Sequence, residues 1–385
     1  MINWSSNFKI GFLGAGQLAR MSALEAAKYG IQTLSFSDRK EQEPLEQYCT
    51  SHFKGDFSNI DDLVEFAKQC DVITLENEFI DSSLLKQMVE KSGTPLYPSP
   101  QTFEAIENKW IEKESYAKAG IPVCPYQLIQ DPTTDFNTFG EKHGWPYLLK
   151  SAKGGYDGYG NATVNNEKEA FAAFDKLGGS KGRDILAEAF VPFRMELAVT
   201  VARNETGIEV YPCVQSIQEN HICTKVLCPA PVSAKIQQKT QELAEKAMIA
   251  IDARGVFSFE FFLTKEGDIL LNESAPRPHN SAHYTIEACE TSQFENHIRA
   301  VLNLPLGSSK LRKPAAVMIN LLGTQNGEAM VKNAISAVQE PDGHLHIYGK
   351  LSSKIGRKMG HYTLLGDELD STFQKALLLT KAIEI

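Results

Sequence analysis

The sequence predicts an α/β unit, then an α+β unit, then a small C-terminal β-rich unit, with boundaries near residues 104 and 306. Three observations carry this. At 385 residues the chain is too long for one ordinary hydrophobic core. Up to about residue 100, short apolar runs alternate with amphipathic stretches, which implies a parallel sheet with helical crossovers. Beyond residue 104 the pattern changes to hairpin-like strands, and it turns again at Asn303-Leu304-Pro305-Leu306-Gly307.

Taken in order, an apolar strand over residues 8–13 runs into Gly14-Ala15-Gly16-Gln17-Leu18-Ala19, and an amphipathic helix continues to Tyr29 with Gly30 as its stop. A second strand, 31–36, ends at Ser37-Asp38; a helix near 60–69 precedes a buried strand at 71–75. Thr94-Pro95-Leu96-Tyr97-Pro98-Ser99-Pro100 punctuates this unit, and 103–119 reads as one charged helix. Strands are then expected at 147–150, 187–191, 196–202, 207–214, 256–264 and 268–273, with a long helix at 234–251. Strands at 315–321 and 345–348 define the C-terminal unit. The chain carries no internal repeat and no low-complexity segment.

With 42% hydrophobic and 23% charged residues, 27 Gly and 17 Pro, the composition excludes wholesale disorder and fibrous repeats. Charges of 39 Lys+Arg against 48 Asp+Glu leave −9, so no global basic field exists to hold nucleic acid, although a local basic cluster can hold a small anion. The N-terminal apolar stretch spans only a few residues, lacks a cleavage signature, and no later run reaches membrane-spanning length. A cytoplasmic protein with no membrane partner is expected. Seven scattered cysteines without a Cys-x-x-Cys pair fit reduced thiols packed as small apolar side chains.

Gly14-x-Gly16-x-x-Ala19, with Asp38 some twenty residues on, satisfies a Rossmann-like dinucleotide fingerprint. Glycines let a helix N-terminus approach a phosphate, and an acid can bind a ribose. A tight strand-to-helix turn needing glycine for geometry alone accounts for the same residues. Lys153-Gly154-Gly155-Tyr156-Asp157-Gly158-Tyr159-Gly160 follows a strand ending in Lys150; it lacks the Gly-Lys-Ser/Thr of a Walker loop and reads as a strand-loop-strand lid whose amides can wrap phosphates. A hairpin without a ligand is the alternative.

Glu260 lies in an otherwise apolar strand, and counting back from the turn at Lys265-Glu266-Gly267 places it opposite Asn272 and Glu273. Buried carboxylates are costly unless paired or on a metal, and hard oxygen ligands suit Mg²⁺ carrying nucleotide phosphates; ion-paired core acids are the alternative. Pro276-Arg277-Pro278-His279-Asn280-Ser281-Ala282-His283 follows, with Ser281 as a candidate helix cap. His279 and His283 stand four apart, but without a third ligand nearby hydrogen bonding is favoured over zinc. Lys350 and Lys354-Ile355-Gly356-Arg357-Lys358-Met359-Gly360-His361 form a basic knot in an acidic protein, either a solvated face or a site for a phosphate monoester.

Together these segments, with Thr74-Leu75-Glu76-Asn77-Glu78, resemble the ATP-grasp enzymes, and within them the carboxyaminoimidazole ribonucleotide synthases of purine biosynthesis, over almost the whole chain. The resemblance implies a pre-ATP-grasp domain at 1–104, an ATP-grasp domain at 105–306 with a lid at about 120–190, and a C-terminal domain at 307–385. It implies an ATP-dependent carboxylation of aminoimidazole ribonucleotide by bicarbonate through carboxyphosphate, a homodimer, and a downstream mutase as recipient of the product. On the positions that match, Lys109 and Lys150 would contact ATP phosphates, with Gly155 and Gly158 in the lid. Glu188, Ala189, Phe190 and Val191 would form the hinge reading adenine, Glu196 would bind the ribose, and Glu260 and Glu273 would hold Mg²⁺ beside Asn272. Tyr156 and Asp157 would reach the imidazole nucleotide; Arg277, His279 and Asn280 would form the bicarbonate and carboxyphosphate site. Gln17, Leu18, Glu76, Lys350, Arg357 and Lys358 would cradle the ribonucleotide, which reassigns the first glycine turn.

The sequence departs from the family pattern in three respects. Tyr159 stands where a basic residue is expected, with Lys153 as a substitute; Gln218 stands where a nucleotide-facing His is expected, with His221 three residues later; Ser274 and Ala282 are milder changes. Among rival readings, an NAD-dependent dehydrogenase accounts for the first unit only. A catalytically dead nucleotide-binding protein would need a lost metal ligand or lid. Another ATP-grasp ligase, such as a formate-dependent glycinamide ribonucleotide transformylase, shares the fold and is separated by Tyr156-Asp157 and Arg277-Pro278-His279-Asn280.

Overall fold

Strand and helix alternate in the first unit except between Gln32–Ser37 and Ser51–Lys54, the latter a strand the apolar pattern did not mark, and together they build a five-stranded parallel sheet. Its order is Ser51–Lys54, Gln32–Ser37, Lys9–Leu13, Val72–Leu75, Leu96–Tyr97. The chain moves outward from Lys9–Leu13 in one direction and then returns to its other side at Val72–Leu75. That reversal opens a crevice at the strands' carboxyl ends, where Gly14 to Gln17 and Glu76 emerge. The computed structural model describes residues 3–154, 160–220 and 222–385, so Gly155, Tyr156, Asp157, Gly158, Tyr159 and His221 lie outside the described residues.

The charged segment expected as one helix over 103–119 is two. Pro100–Ile106 ends before Asn108, whose extended backbone and side chain, accepting from the amides of Trp110 and Ile111, start Lys109–Lys118 afresh. An Asn cap outweighs the helical periodicity here, and it sets Lys109 on the first turn of a new helix. The helix Ser82–Ser92, capped by Asp81 and stopped by Gly93 at φ 75°, had no counterpart in the sequence reading.

The second unit has two layers. A four-stranded antiparallel sheet runs Tyr126–Leu128, Ile185–Ala189, Tyr147–Ser151, Asn161–Val164, and packs Leu149, Val164 and Ala187 against Phe136 and Phe139 of the helix Pro132–His143. Tyr147–Ser151 and Asn161–Val164 are the strands flanking the glycine-rich loop. A larger sheet orders Ile269–Ala275, Gly255–Thr264, Phe193–Asn204, Val214–Glu219, Ile222–Cys228, Ala315–Leu322, Lys358–Gly366, Gly343–Ile347. Its core, with Leu197, Val199, Phe257, Phe259 and Phe261, lies under the helix Ala234–Ala250. The C-terminal strands therefore extend this sheet across the Ile222–Cys228 edge, with Lys225 opposite Ile319, instead of closing a sheet of their own.

The helix Gln293–Val301 ties the units together. Ile298 and Val301 pack with Ile10 and Phe12 of the first sheet, while Phe294 clusters with Leu18, Met21 and Tyr348. Among the described residues no helix is long and apolar enough to cross a membrane, and all seven cysteines are free thiols.

Candidate active site

At the first glycine turn, the backbone amide of Gly16 donates to Glu76 at 2.8 Å. A Cβ at Gly14 would lie 2.6 Å from the Glu76 carboxylate, and one at Gly16 would also strike it. The space a dinucleotide pyrophosphate would need is thus filled by the protein's own carboxylate, and the glycines serve Glu76. This removes the dehydrogenase reading on physical grounds.

Glu76 faces a cavity of about 410 Å³ lined by Gln17, Leu18, Arg39, Glu41, Glu43, Lys350, Arg357 and Lys358. A second cavity, about 390 Å³, is lined by Lys109, Glu112, Lys153, Glu260, Glu273 and Ser274. Both are lined by Glu78, Phe79, Arg277 and His279, and Asn280 lines the first, so these residues stand where two chambers meet.

Sheet register builds the acidic side. Of the two partners that counting from the turn offers, Glu260 pairs with Glu273, because a bulge between Glu260 and Phe261 leaves Asn272 out of the ladder. Burial, then the Glu273 charge, pushes the Glu260 carboxyl up to about 8. Burial, then Glu273, pushes Glu196 up to about 7. Lys109 approaches Glu273 only to 3.7 Å. Three mutually repelling carboxylates with one distant cation make a poor ion-paired core and a good divalent-cation site. Among the described residues no group of three or more His, Cys, Asp or Glu is arranged to hold a metal ion.

Lys113 was missed by the sequence reading although it stands one turn from Lys109. Its ammonium meets Glu188 at 2.6 Å and the carbonyl of Asn272 at 3.2 Å, and Lys150 meets the other Glu188 oxygen at 2.5 Å. Burial raises the Glu188 carboxyl, but Lys113 and then Lys150 outweigh it and hold it down to about 2. The Glu188 side chain is thereby committed internally, leaving only backbone for a ligand. Lys150, Glu188, Ala189, Phe190, Val191, Glu196 and Asn272 do not line the two cavities.

At the junction, Arg277 donates to Glu78 at 2.7 Å, joining the second unit to the first. The His279 ring shares a 2.9 Å hydrogen bond with Ser281 and accepts from the Ser281 amide. His279, and not Ser281, is therefore the capping residue here, because a short 3₁₀ turn at Asn280–Ala282 intervenes. Burial, then Arg277 and Lys358, holds the His279 imidazole well below its usual range, so it is neutral. Asn280 donates to Asn320 at 2.9 Å, and Asn320 donates to the carbonyl of Cys223 at 2.8 Å. Lys153 is engaged by Glu107 at 2.6 Å. Gln218 stands opposite Cys223 beside a bulge and lines neither cavity.

In the cradle, burial first, then Arg357, lowers the Lys350 ammonium to about 7, while Glu76 acts in the opposite sense. Lys350 donates to the carbonyl of Lys358 at 2.6 Å. Cations that destabilise one another signal a site made for an anion. Arg39, just after Asp38, joins them and was not foreseen; Glu78 lay within a motif already singled out.

A cleft with lysines and paired acids on one side and a Rossmann-like cradle on the other is the arrangement of the ATP-grasp class. The ATP-grasp domain family matches residues 114–294, between a ribonucleotide synthetase preATP-grasp domain at 8–107 and a phosphoribosylaminoimidazole carboxylase C-terminal domain at 316–375. The N5-carboxyaminoimidazole ribonucleotide synthase of Staphylococcus aureus is 36% identical over 95% of this chain and 94% of its own. The crystal structure of the synthetase from Thermotoga maritima superimposes with a TM-score of 0.86 at 38% identity, covering 98% of this chain and 99% of that one. The synthase of Aspergillus clavatus in complex with ADP and 5-aminoimidazole ribonucleotide gives 0.84 at 34% identity, covering 98% and 99%. The chain belongs to the N5-carboxyaminoimidazole ribonucleotide synthase family. It spans about two thirds of the length of fungal and plant relatives named phosphoribosylaminoimidazole carboxylase.

Proposed function

We propose that this protein carboxylates the exocyclic amine of 5-aminoimidazole ribonucleotide with ATP and bicarbonate, releasing N5-carboxyaminoimidazole ribonucleotide, ADP and phosphate through carboxyphosphate, as a step of de novo purine (IMP) biosynthesis. One observation carries the reading: a chamber bearing paired acids and a chamber bearing cations meet at Arg277 and His279. Bicarbonate is a poor electrophile, and phosphorylation supplies its leaving group. The reactive intermediate must then form within reach of the amine and away from water.

In this reading Lys109 and Lys150 bind phosphate oxygens, the 188–191 backbone reads adenine and Glu196 the ribose. Arg277 and Asn280 hold bicarbonate by charge and hydrogen bonding, and the neutral His279 hydrogen-bonds the developing carboxyphosphate. Mg²⁺, for which the repelling acids fit, would sit between Glu260 and Glu273 and neutralise charge on the transferring phosphoryl group. Gln17, Leu18 and Glu76 hold the sugar end of the substrate, and Lys350, Arg357 and Lys358 its phosphate. Tyr156 and Asp157, outside the described residues, are proposed to reach the imidazole. A cytoplasmic homodimer handing its labile product to a mutase completes the proposal and rests on the family resemblance.

The test is ADP release by the purified protein with MgATP, with and without bicarbonate and aminoimidazole ribonucleotide, against formate plus glycinamide ribonucleotide as the rival pair. ADP formation should require bicarbonate and be strongly stimulated by the imidazole nucleotide; turnover on the rival pair would overturn the substrate assignment. Lys358→Ala should weaken binding of the imidazole nucleotide by roughly tenfold or more, the loss of a charge-assisted hydrogen bond. ATP affinity should stay within about twofold. Unchanged nucleotide affinity in a titration would remove Lys358 from the cradle.

A further inference from the structure

We infer that Gln293 is a positioning residue for the reaction, holding the His279 backbone in the one orientation that places its ring at the junction of the two chambers. The inference rests on the proposed role of His279. His279 lies past the end of the strand Ile269–Ala275, so no sheet ladder fixes it. Gln293 supplies that constraint: its Oε1 accepts from the His279 amide at 2.9 Å and its Nε2 donates to the His279 carbonyl at 2.8 Å. The same Nε2 lies 3.0 Å from Nδ1 of the buried His283. Because the His279 amide can only donate and its carbonyl only accept, the side-chain amide cannot be flipped.

Gln293 is wholly buried, so a clamp without its amide cannot be replaced by solvent. It also sits on a helix tethered at several points. Ser292 caps the helix Gln293–Val301 through the Glu295 amide, Asn296 donates to Tyr211 at 2.8 Å and Gly307 at 2.9 Å, and His297 bonds Thr74 at 2.8 Å. Thr74 is two residues before Glu76, and Phe294 packs on Leu18. The backbone carrying the His279 ring is therefore referenced to the helix that also touches the substrate cradle, so both chambers share one frame.

The consequence concerns coupling. With His279 released from its clamp, ATP should still be cleaved, but carboxyphosphate should more often be lost to water than delivered to the amine. Gln293→Met keeps length and removes every hydrogen bond; Gln293→Glu keeps the acceptor for the His279 amide. Turnover to carboxylated nucleotide should fall about 10- to 100-fold in Gln293→Met, as a misplacement on the order of 1 Å entails. KM for ATP should hold, the ratio of ADP to product should rise above one, and Gln293→Glu should fall between. A folded Gln293→Met with unchanged kcat and unchanged ratio overturns the inference. The crystal structure of either variant that folds is the readout independent of substrate identity. His279 displaced from its parental place supports the clamp, and a superimposable His279 refutes it, even if the parent protein prefers another amine.

Discussion

Glu273→Gln is expected to lower turnover by about a thousandfold or more while leaving the ligand-free protein as stable as its parent or slightly more so. The two signs have one cause. Glu273 is half exposed, its nearest cation is Lys109 at 3.7 Å, and its charge raises both Glu260 and Glu196. In the absence of a divalent cation the carboxylate is a net burden on its neighbours, so neutralising it relieves repulsion by a few tenths of a kcal/mol at such an exposed position. With MgATP bound, the same charge would hold the cation, and an amide cannot supply it; several kcal/mol of charge stabilisation in phosphoryl transfer then disappear. Thermal melts with and without MgATP, beside steady-state ADP release, read both effects. Near-native turnover would remove Glu273 from the metal site. A variant that melts well below the parent without ligand would show that the acid is structural.

Lys113→Met is expected to destabilise the second unit by about 3–5 kcal/mol, the usual cost of leaving a buried charge without its partner. Glu188 is 1% exposed and divides its two oxygens between Lys113 and Lys150. Removing Lys113 strands one oxygen in the core and also frees the Asn272 carbonyl, next to Glu273, from its donor. Replacing both partners, as Lys113→Met with Glu188→Gln, should cost less than the sum of the single changes, because no unpaired charge remains opposite the methionine. Urea denaturation of the four proteins measures the coupling. A Lys113→Met stability within about 1 kcal/mol of the parent would mean that Lys150 alone satisfies Glu188.

Much of the site was legible before any coordinates, and for local reasons. Counting residues across a tight turn brings Glu260 opposite Asn272 and Glu273, since hairpin register is set by loop length, and a bulge in the folded strand selects Glu273. The Gly14-Ala15-Gly16 turn, the alternation of the first unit, and the basic run ending in Lys358 are patterns within a few residues. Where a local reading went astray, another local rule had prevailed: the Asn108 cap divided the expected helix, and a 3₁₀ turn capped by the His279 ring takes in Ser281, the expected helix cap.

Other features belong to the tertiary structure alone. Glu76 fills the glycine turn from sixty residues away, Lys113 reaches Glu188 across two layers, and Arg277 is held by Glu78 of another unit. Gln293 grips His279 from a helix that no motif marked, and the C-terminal strands join the central sheet at the Ile222–Cys228 edge. By itself the sequence determined the kinds of chemistry present, the turns, caps and hairpin registers, and the family to which the chain belongs. Only the packed structure decided which charges share one cavity, which carboxylates are spent internally, and which side chain holds the backbone of His279. A cap, a turn or a hairpin is won within a few residues of backbone and side-chain hydrogen bonding. A partner far along the chain is chosen only when apolar layers close over it and an unpaired polar group there becomes too costly to keep.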